Sequence, residues 1–322
     1  MKKMKIAIIG AGISGITIAL ELQKFAEVKI FEKSRGVGGR MSTRYNEDFA
    51  FDHGAQCFTA RTKVFQKFLQ PFIVSEDVLP WTGKAVNIDI DGKVSPRFWF
   101  ETHLVAAPNM NSLCKKMAIG LDISTSVEVA PIVKKDDLWN LKDINGNDLG
   151  NFDFVISTAP QVQTKNLFGE SFKIKEVSMQ PCFALMLGFK EKWQFDWIFA
   201  KVRNNPIKLI ALNSSKPKRN SEVTSLVIHS RSSWSKENLD NNLEEITQVL
   251  TDNLKKITGI DANKADYKSI HRWKYALVDE EKSEIFLDKN LKIAATSDWV
   301  TNSRIEDVWL MAKKLSESLI EK

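Results

Sequence analysis

Cysteine is scarce in this chain: three residues in 322, Cys57, Cys114 and Cys182. They are odd in number, far apart and form no CxxC pair, which excludes a disulfide framework and a zinc site and leaves them as small core or near-core residues. Histidine is nearly as rare. The four, His53, His103, His229 and His271, stand in neither metal-ligand nor nucleophile-elbow spacing, and no GxSxG is present, so a Ser/His/Asp hydrolase is excluded. Long apolar runs are missing too. Phe183 to Leu187 is typical, far below the roughly 20 residues that span a bilayer, so no membrane passage is expected. With 9 Pro, 15 Gly and 27% charged residues, and no repeat of fixed period, the chain is not collagen-like, low-complexity or disordered. Nor does one sign of charge dominate. The 46 Lys+Arg against 40 Asp+Glu give +6, scattered without aromatic interleaving, so no nucleic-acid partner is expected and a mild attraction for phosphorylated small molecules fits the excess.

What is present is a globular chain, 43% hydrophobic and long enough for two domains. Its first apolar stretch runs straight into a glycine turn with no small-residue cleavage site, so a cytoplasmic location is expected. That stretch, Lys5 to Ile9, is followed by Gly10-Ala11-Gly12-Ile13-Ser14-Gly15 and then by apolar residues at helical spacing, which predicts strand, glycine turn and helix. Gly10 permits the tight turn, Gly12 lets backbone approach a pyrophosphate, and Gly15 lets helix pack on strand, with the helix N-terminus aimed at the phosphates. A second strand, Val28 to Phe31, ends at Glu32, 17 residues beyond Gly15, where a dinucleotide site places a carboxylate on the adenosine ribose. An acid there disfavours a ribose phosphate and points to FAD or NAD rather than NADP. Lys33 to Met41 then carries Gly36, Gly38 and Gly39 and the guanidinium groups of Arg35 and Arg40. Such a segment lets backbone pass close to a flat ligand, and Arg40 can pair with phosphate oxygens. No such segment follows the second strand of NAD dehydrogenases, and its presence shifts the reading to FAD.

The runs FEKSRGVGGRMSTR (31–44), FDHGAQCFTAR (51–61), HRWKYALV (271–278) and SDWVTNSRIEDVWLMA (297–312) resemble the renalase-like flavoproteins, especially the bacterial ones, within the larger amine-oxidase-like group. The first run is shared by many FAD oxidases, whereas GAQ-x-FTAR followed much later by HRW-x-YA is narrow. The resemblance spans almost the whole chain. It implies an α/β (α+β) fold in which a Rossmann-type FAD domain of the glutathione-reductase kind, residues 1–60, 110–160 and 290–322, is interleaved with an antiparallel-sheet substrate domain, residues 61–109 and 161–289. The chain's own pattern agrees. Residues 126–134 and 138–144 with the turn Asn145-Gly146 predict a β-meander, 154–157 a buried strand of the nucleotide sheet, and 182–189, 208–213 and 224–230 further strands. Residues 239–257 predict an amphipathic helix, 292–295 a strand, and the stretch from Ser303 to Glu306 the start of a last helix.

The resemblance further implies non-covalent FAD held by Gly10, Gly12, Ile13, Ser14, Gly15, Glu32, Lys33, Gly39, Arg40, Met41, Val129, Asp298, Arg304 and Ile305. Asp298 takes the place where such proteins set a carboxylate on a ribityl hydroxyl or near the pyrophosphate. The family's Gly-Asp-Trp is Ser297-Asp298-Trp299 here, and its small residues are replaced by Asn302, Asp307 and Val308. Asn302 tolerates left-handed backbone, so the turn is expected to persist, and Asp307 is expected to face away from the flavin. Gln56, Thr59, Arg61, His271, Trp273 and Tyr275 are expected to line the substrate cavity, with Arg61 or a nearby basic residue pairing with dinucleotide phosphate. The alternatives stay open: Trp273 and Tyr275 are cavity wall or core, His271 a satisfied core histidine, and the other tryptophans packing. No catalytic acid or base is nominated, because hydride removal by a flavin needs placement and exclusion of water above all. The implied activity is oxidation of off-pathway NAD(P)H isomers that carry hydride at C2 or C6 of the nicotinamide, giving NAD(P)+ and, with O2, H2O2. An amine oxidase and a flavin-binding protein without turnover are the alternatives.

Overall fold

A computed structural model of the chain describes residues 3–174, 176–279 and 282–320. Residues 1 and 322, the outer bounds of the expected domains, lie outside them. The chain forms two compact units, one assembled from Met1–Gly39, Cys114–Ser178 and Leu277–Lys322, the other from Arg40–Leu113 and Met179–Ala276.

The first unit is built on a six-stranded sheet. Its strand order is Phe286–Asp288, Ile293–Ala295, Phe154–Ser157, Lys5–Ile9, Glu27–Glu32, Asp122–Thr125, parallel throughout except for Phe286–Asp288 at one edge. Side chains alternate across the first strand, and each set finds a separate cover. Ile6 and Ile8 pack with Ile18, Ala19 and Leu22 of the helix Ile13–Leu22 and with Ala312 and Leu315 of the helix Ile305–Ile320. Ala7, with Phe31, Val155 and Ala295, packs against Trp139, Leu141 and Phe152 of a three-stranded meander. The meander is Val133–Lys135, Leu138–Lys142 and Asp148–Phe152. It begins later than the pattern of residues 126–134 suggests, because left-handed Ser126 (φ +57°) and Pro131 interrupt extended backbone there. The Asn145-Gly146 turn forms as expected, with Gly146 at φ +86° and its N–H on the Asp143 carbonyl at 2.9 Å.

A seven-stranded sheet dominates the second unit, in the order Tyr267–Val278, Met179–Phe189, Thr224–Ser230, Ile207–Leu212, Phe199–Val202, Ala85–Ile88, Val94–Arg97. It is not wholly antiparallel: Phe199–Val202 runs parallel to Ala85–Ile88. One face carries Leu185, Leu187, Ile210 and Ile228 and is covered by Ile246, Leu250, Leu254 and Ile257 of the helix Leu243–Thr258. That helix starts four residues later than its apolar spacing predicts. Asn242 caps it, its side chain accepting from the Glu244 N–H at 2.9 Å, and left-handed Gly259 ends it. The opposite face meets the hairpin Thr43–Asn46/Phe49–Asp52 through Phe49, Phe51, Met186 and Val227. Gly188 lets that hairpin seat, since a Cβ there would lie 2.8 Å from the Phe49 ring.

Candidate functional site

In the first unit the predicted nucleotide residues gather at the carboxyl ends of the parallel strands, where open α/β sheets bind ligands. Gly10 adopts φ +106°, and a Cβ on it would come within 2.6 Å of Thr158 Oγ1. A Cβ on Gly15 would be 2.0 Å from the Gly10 carbonyl oxygen, so only glycine lets this helix start so close to the strand. The second glycine segment lies directly on the first turn: Gly38 N–H donates to the Ala11 carbonyl at 2.9 Å, and Gly39 lies over the Gly12 Cα. Glu32 is buried at the end of its strand, one carboxylate oxygen accepting from Ala11 N–H and the other from Ser34 N–H, each at 2.8 Å. These bonds tie both glycine segments to the acid and leave lone pairs for hydroxyl donors.

The cradle fits a dinucleotide. Gly12 heads the helix Ile13–Leu22 without any side-chain cap, and the space its missing Cβ leaves contains no protein atom within 4 Å. Ser14 in the first turn is buried, yet among the described residues its Oγ has no hydrogen-bond partner, and Thr296 Oγ1, at the end of the strand Ile293–Ala295, is a second such hydroxyl. An orphaned buried hydroxyl in the first turn of an open helix N-terminus, and a second at the carboxyl end of a strand of the same sheet, match a ligand rich in phosphate and hydroxyl oxygens. Asp298 is also buried, accepting from Ser303 Oγ at 2.9 Å. Lys33 is exposed, Val129 is half-buried and bridged to Asp143, and Ile305 opens the last helix. Arg304, just ahead of that helix, donates from Nε to Asp307 at 3.0 Å and so compensates the Asp307 charge. In the turn that holds Asn302 the residue in left-handed backbone is Ser303, with φ +56°.

The remaining predicted residues belong to the second unit. Met41 is buried, and Arg40 donates to the Tyr275 carbonyl at 3.3 Å. His53, His271 and Trp273 form one ring cluster: His53 stacks on Trp273 with centroids 5.3 Å apart, and His271 meets both edge-on at 5.0 and 4.3 Å. Trp273 Nε1–H and His229 Nε2–H both donate to the His53 carbonyl at 3.0 Å, clamping the backbone of the predicted motif. Burial, followed by the charge of Arg44, pushes His271 down to about 4; burial, His271 and Arg44 push His53 to about 3, and burial takes His229 to about 4. All three imidazoles are neutral at pH 7.

Gln56 is buried, and its amide is saturated. The NH2 donates to the carbonyls of Asp52 and Gly54, and the oxygen accepts from Asn213 at 3.0 Å and from Lys216 at 3.4 Å. Its role is to hold the Asp52–Gly54 backbone. Thr59 is half-buried. Arg61 is exposed and forms a two-pronged pair with Glu101 at 2.5 and 2.6 Å. Among the described residues no cluster of His, Cys, Asp and Glu forms a metal site, and no helix is long and apolar enough to cross a membrane.

Residues 92–278, more than half of the chain, match the family model for flavin containing amine oxidoreductases, and residues 8–72 match that for NAD(P)-binding Rossmann-like domains. The chain belongs to the flavin-containing amine oxidoreductases. Its cofactor is FAD, and its fold is the mixed α/β fold of that family. An Exiguobacterium sp. 255-15 protein whose name assigns it to the protoporphyrinogen oxidases has a similar structure, with TM-score 0.79, 13% identity and 99% of each chain covered. So do putrescine oxidase (TM-score 0.72, 10% identity, 99% of each chain) and a fatty acid isomerase from P. acnes (0.75, 11%, 100% of each chain). A Staphylococcus aureus 4,4'-diapophytoene desaturase is 48% identical over 52 residues, 16% of this chain, so this chain matches about a tenth of that relative's length.

Sequence reasoning misses one group in this flavin-family chain altogether. Asp52 lies wholly buried, accepting from Lys216 at 2.8 Å, from Arg219 and from Thr43. Burial alone would raise its carboxyl, but the charges of Lys216 and Arg219 hold it below the usual range. The Asp52-His53 pair stands in a quoted motif, but nothing local in Ser214 to Asn220 marks Lys216 as a core cation.

Proposed function

We propose that this protein is an FAD-dependent oxidase that takes hydride from a small planar molecule, and that the molecule is an off-pathway dihydronicotinamide isomer of NAD(P)H, in keeping with the renalase-like motifs. The observation that carries this reading is the contact cluster of Trp273, His53 and His271, with both imidazoles neutral. Trp273 and His271, both half-buried and backed by the buried His53 ring, offer a dihydropyridine ring a stacking surface. A dihydronicotinamide that gives up hydride becomes a pyridinium and has no proton to lose. Imidazoles whose pKa lies near 3 and 4 make poor bases at pH 7, which suits that chemistry. Bound FAD supplies the hydride acceptor. The net reaction balances as dihydronicotinamide plus O2 plus one proton giving nicotinamide cation plus H2O2. The chain's own contribution is to hold the cofactor through Gly12, Ser14, Glu32 and Asp298, and to fix the substrate-facing rings through the clamped His53 carbonyl.

A second reading, amine oxidation, draws on the family description. An amine arrives as an ammonium ion and must lose a proton before hydride can leave, and the three depressed imidazoles do not favour that step. The test is anaerobic mixing of FAD-loaded protein with borohydride-generated NADH isomers, followed by air. Bleaching of the visible flavin band, with recovery and H2O2 on aeration, is expected. Bleaching by putrescine alone would move the assignment to amines, and no bleaching by either would leave flavin binding without turnover.

A further inference from the structure

One face of the seven-stranded sheet in the second unit carries an unusual run of uncompensated positive charge. Cross-strand register sets Ala184, His229, Leu209, Lys201 and Asn87 side by side on that face, with Arg97 at its outer edge one pair along, opposite Ala85. Directly opposed residues share a face of the pleat. Lys208 sits at the bulge between Ile207 and Leu209, and its charge acts on both Cys182 and His229, which places it toward the same face. The row therefore runs from the histidine group out to Arg97. Arg231 stands at the end of the neighbouring strand, its guanidinium fixed by the carbonyls of Val202 and Asn205 at 2.7 and 3.0 Å, and Arg203 follows the strand Phe199–Val202.

Among the described residues none of Arg97, Lys201, Arg203, Lys208 and Arg231 forms an ion pair with a carboxylate. Arg97 is half-buried; one terminal nitrogen reaches Asn87 at 3.5 Å, while its Nε is buried with no partner. Partial burial of Lys201, and then the repulsion of Arg97, Lys208, Arg231 and Arg203, lower its affinity for a proton. Five like charges grouped without a counterion disfavour the folded chain by mutual repulsion, and an anion seated among them removes that cost. The buried Arg97 Nε, a donor without an acceptor among the described residues, points the same way.

We propose that the strip formed by Arg97, Lys201 and Lys208 is a docking site for the phosphate-bearing end of the substrate, and that these three side chains set the preference for a polyanionic molecule over a cationic one. The proposal rests on the dihydronicotinamide reading and deepens it. The diphosphate brings two negative charges to a row of three cations on the sheet face that also carries His229. Diamines such as putrescine, carrying two positive charges, are repelled by the same row, which supplies discrimination in addition to attraction.

The test compares FAD-loaded wild type with Arg97→Gln/Lys201→Gln/Lys208→Gln, and with Lys67→Gln on an exposed helix face as a charge control. Titration calorimetry with NAD+ and with inorganic pyrophosphate, at low and moderate salt, reads binding without turnover. The expected result is a loss of about 100-fold in NAD+ affinity for the triple variant, a shallower salt dependence, and no change in the control. In parallel, the KM advantage of a dihydro-NAD isomer over the matching phosphate-free riboside should collapse toward unity. Unchanged NAD+ affinity in a triple variant that retains FAD overturns the strip while leaving the oxidase reading intact. If wild type binds pyrophosphate through the strip but oxidises no dihydronicotinamide, the anion site stands and the dinucleotide assignment falls. Wild type that binds neither probe overturns the proposal outright.

Discussion

Ser303 donates from Oγ to Asp298 Oδ2 at 2.9 Å and accepts the Val278 N–H at 2.8 Å, so a serine in left-handed backbone fixes the turn that delivers Asp298. Left-handed backbone at a non-glycine residue costs about 1 kcal/mol or more, which these two bonds offset. With Asp298 as a cofactor ligand, Asp298→Ala weakens FAD retention while circular dichroism stays native. Ser303→Ala gives a smaller loss, about 10-fold in FAD affinity, because the carboxylate remains but is no longer oriented. Gel filtration followed by the ratio of flavin to protein absorbance reads both. Equal retention in wild type and Asp298→Ala removes Asp298 from the cofactor site.

Gly12 and Gly15 are the same residue type in one motif but answer to different constraints. Gly15→Ala drives a methyl group to 2.0 Å from the Gly10 carbonyl oxygen, so the fold itself suffers, by about 3 kcal/mol. Gly12 has φ −77° and ψ 179°, ordinary for alanine, and no protein atom near the added methyl. Gly12→Ala therefore keeps the apo melting temperature and loses FAD affinity. Apo-protein melting curves and flavin titration separate the two, and loss of apo stability in Gly12→Ala would contradict the open cradle.

Local signals made the first unit legible. The glycine turn, Glu32 and the strand Phe154–Ser157 each declare themselves through steric need or a run of buried β-branched and aromatic residues, and both registers follow from the first strand. The second glycine segment could be placed beside the first because it follows Glu32 directly. Other features depend on partners far along the chain. Lys216 reads as a surface lysine until the fold brings it to Asp52, 164 residues away. Arg61 meets Glu101 across an intervening helix and three strands, and no periodicity carries that information. Left-handed backbone at Ser303 has the same origin: Asn302 is the residue there that tolerates it best, while the tertiary bonds to Asp298 and Val278 select Ser303.

The three buried imidazoles set an acid limit on stability. In the unfolded chain each histidine titrates near 6.5, whereas in the fold His53 lies at about 3 and His229 and His271 at about 4. Above pH 6.5 both states are neutral and these groups have no effect. As pH falls from about 6.5 toward 4 the unfolded chain takes up protons that the folded one refuses, so stability drops with an uptake approaching about three protons. Urea midpoints measured from pH 7.5 to 4.5 should fall steadily, and His229→Gln should reduce the slope by about a third. A midpoint independent of pH across that window contradicts the neutral cluster.

Asp52 is the hinge of the second unit's polar interior, and its removal tests whether that interior serves stability or placement. It pairs with both Lys216 and Arg219, whose side chains are 1% and 4% exposed, and it accepts the Met110 N–H at 3.1 Å. Asp52→Asn leaves two buried cations without their anion, an expected loss of about 3–5 kcal/mol. Adding Lys216→Met removes one of those cations and should restore part of the stability. It also removes the Lys216 bond to Gln56, so the Asp52–Gly54 backbone and the His53 carbonyl that receives Trp273 and His229 lose one restraint. The double variant should thus recover in melting temperature while turnover of the dihydronicotinamide isomer stays impaired, with FAD content unchanged. Joint recovery of stability and turnover would show that the buried charges serve the fold alone and that the ring cluster is positioned without them.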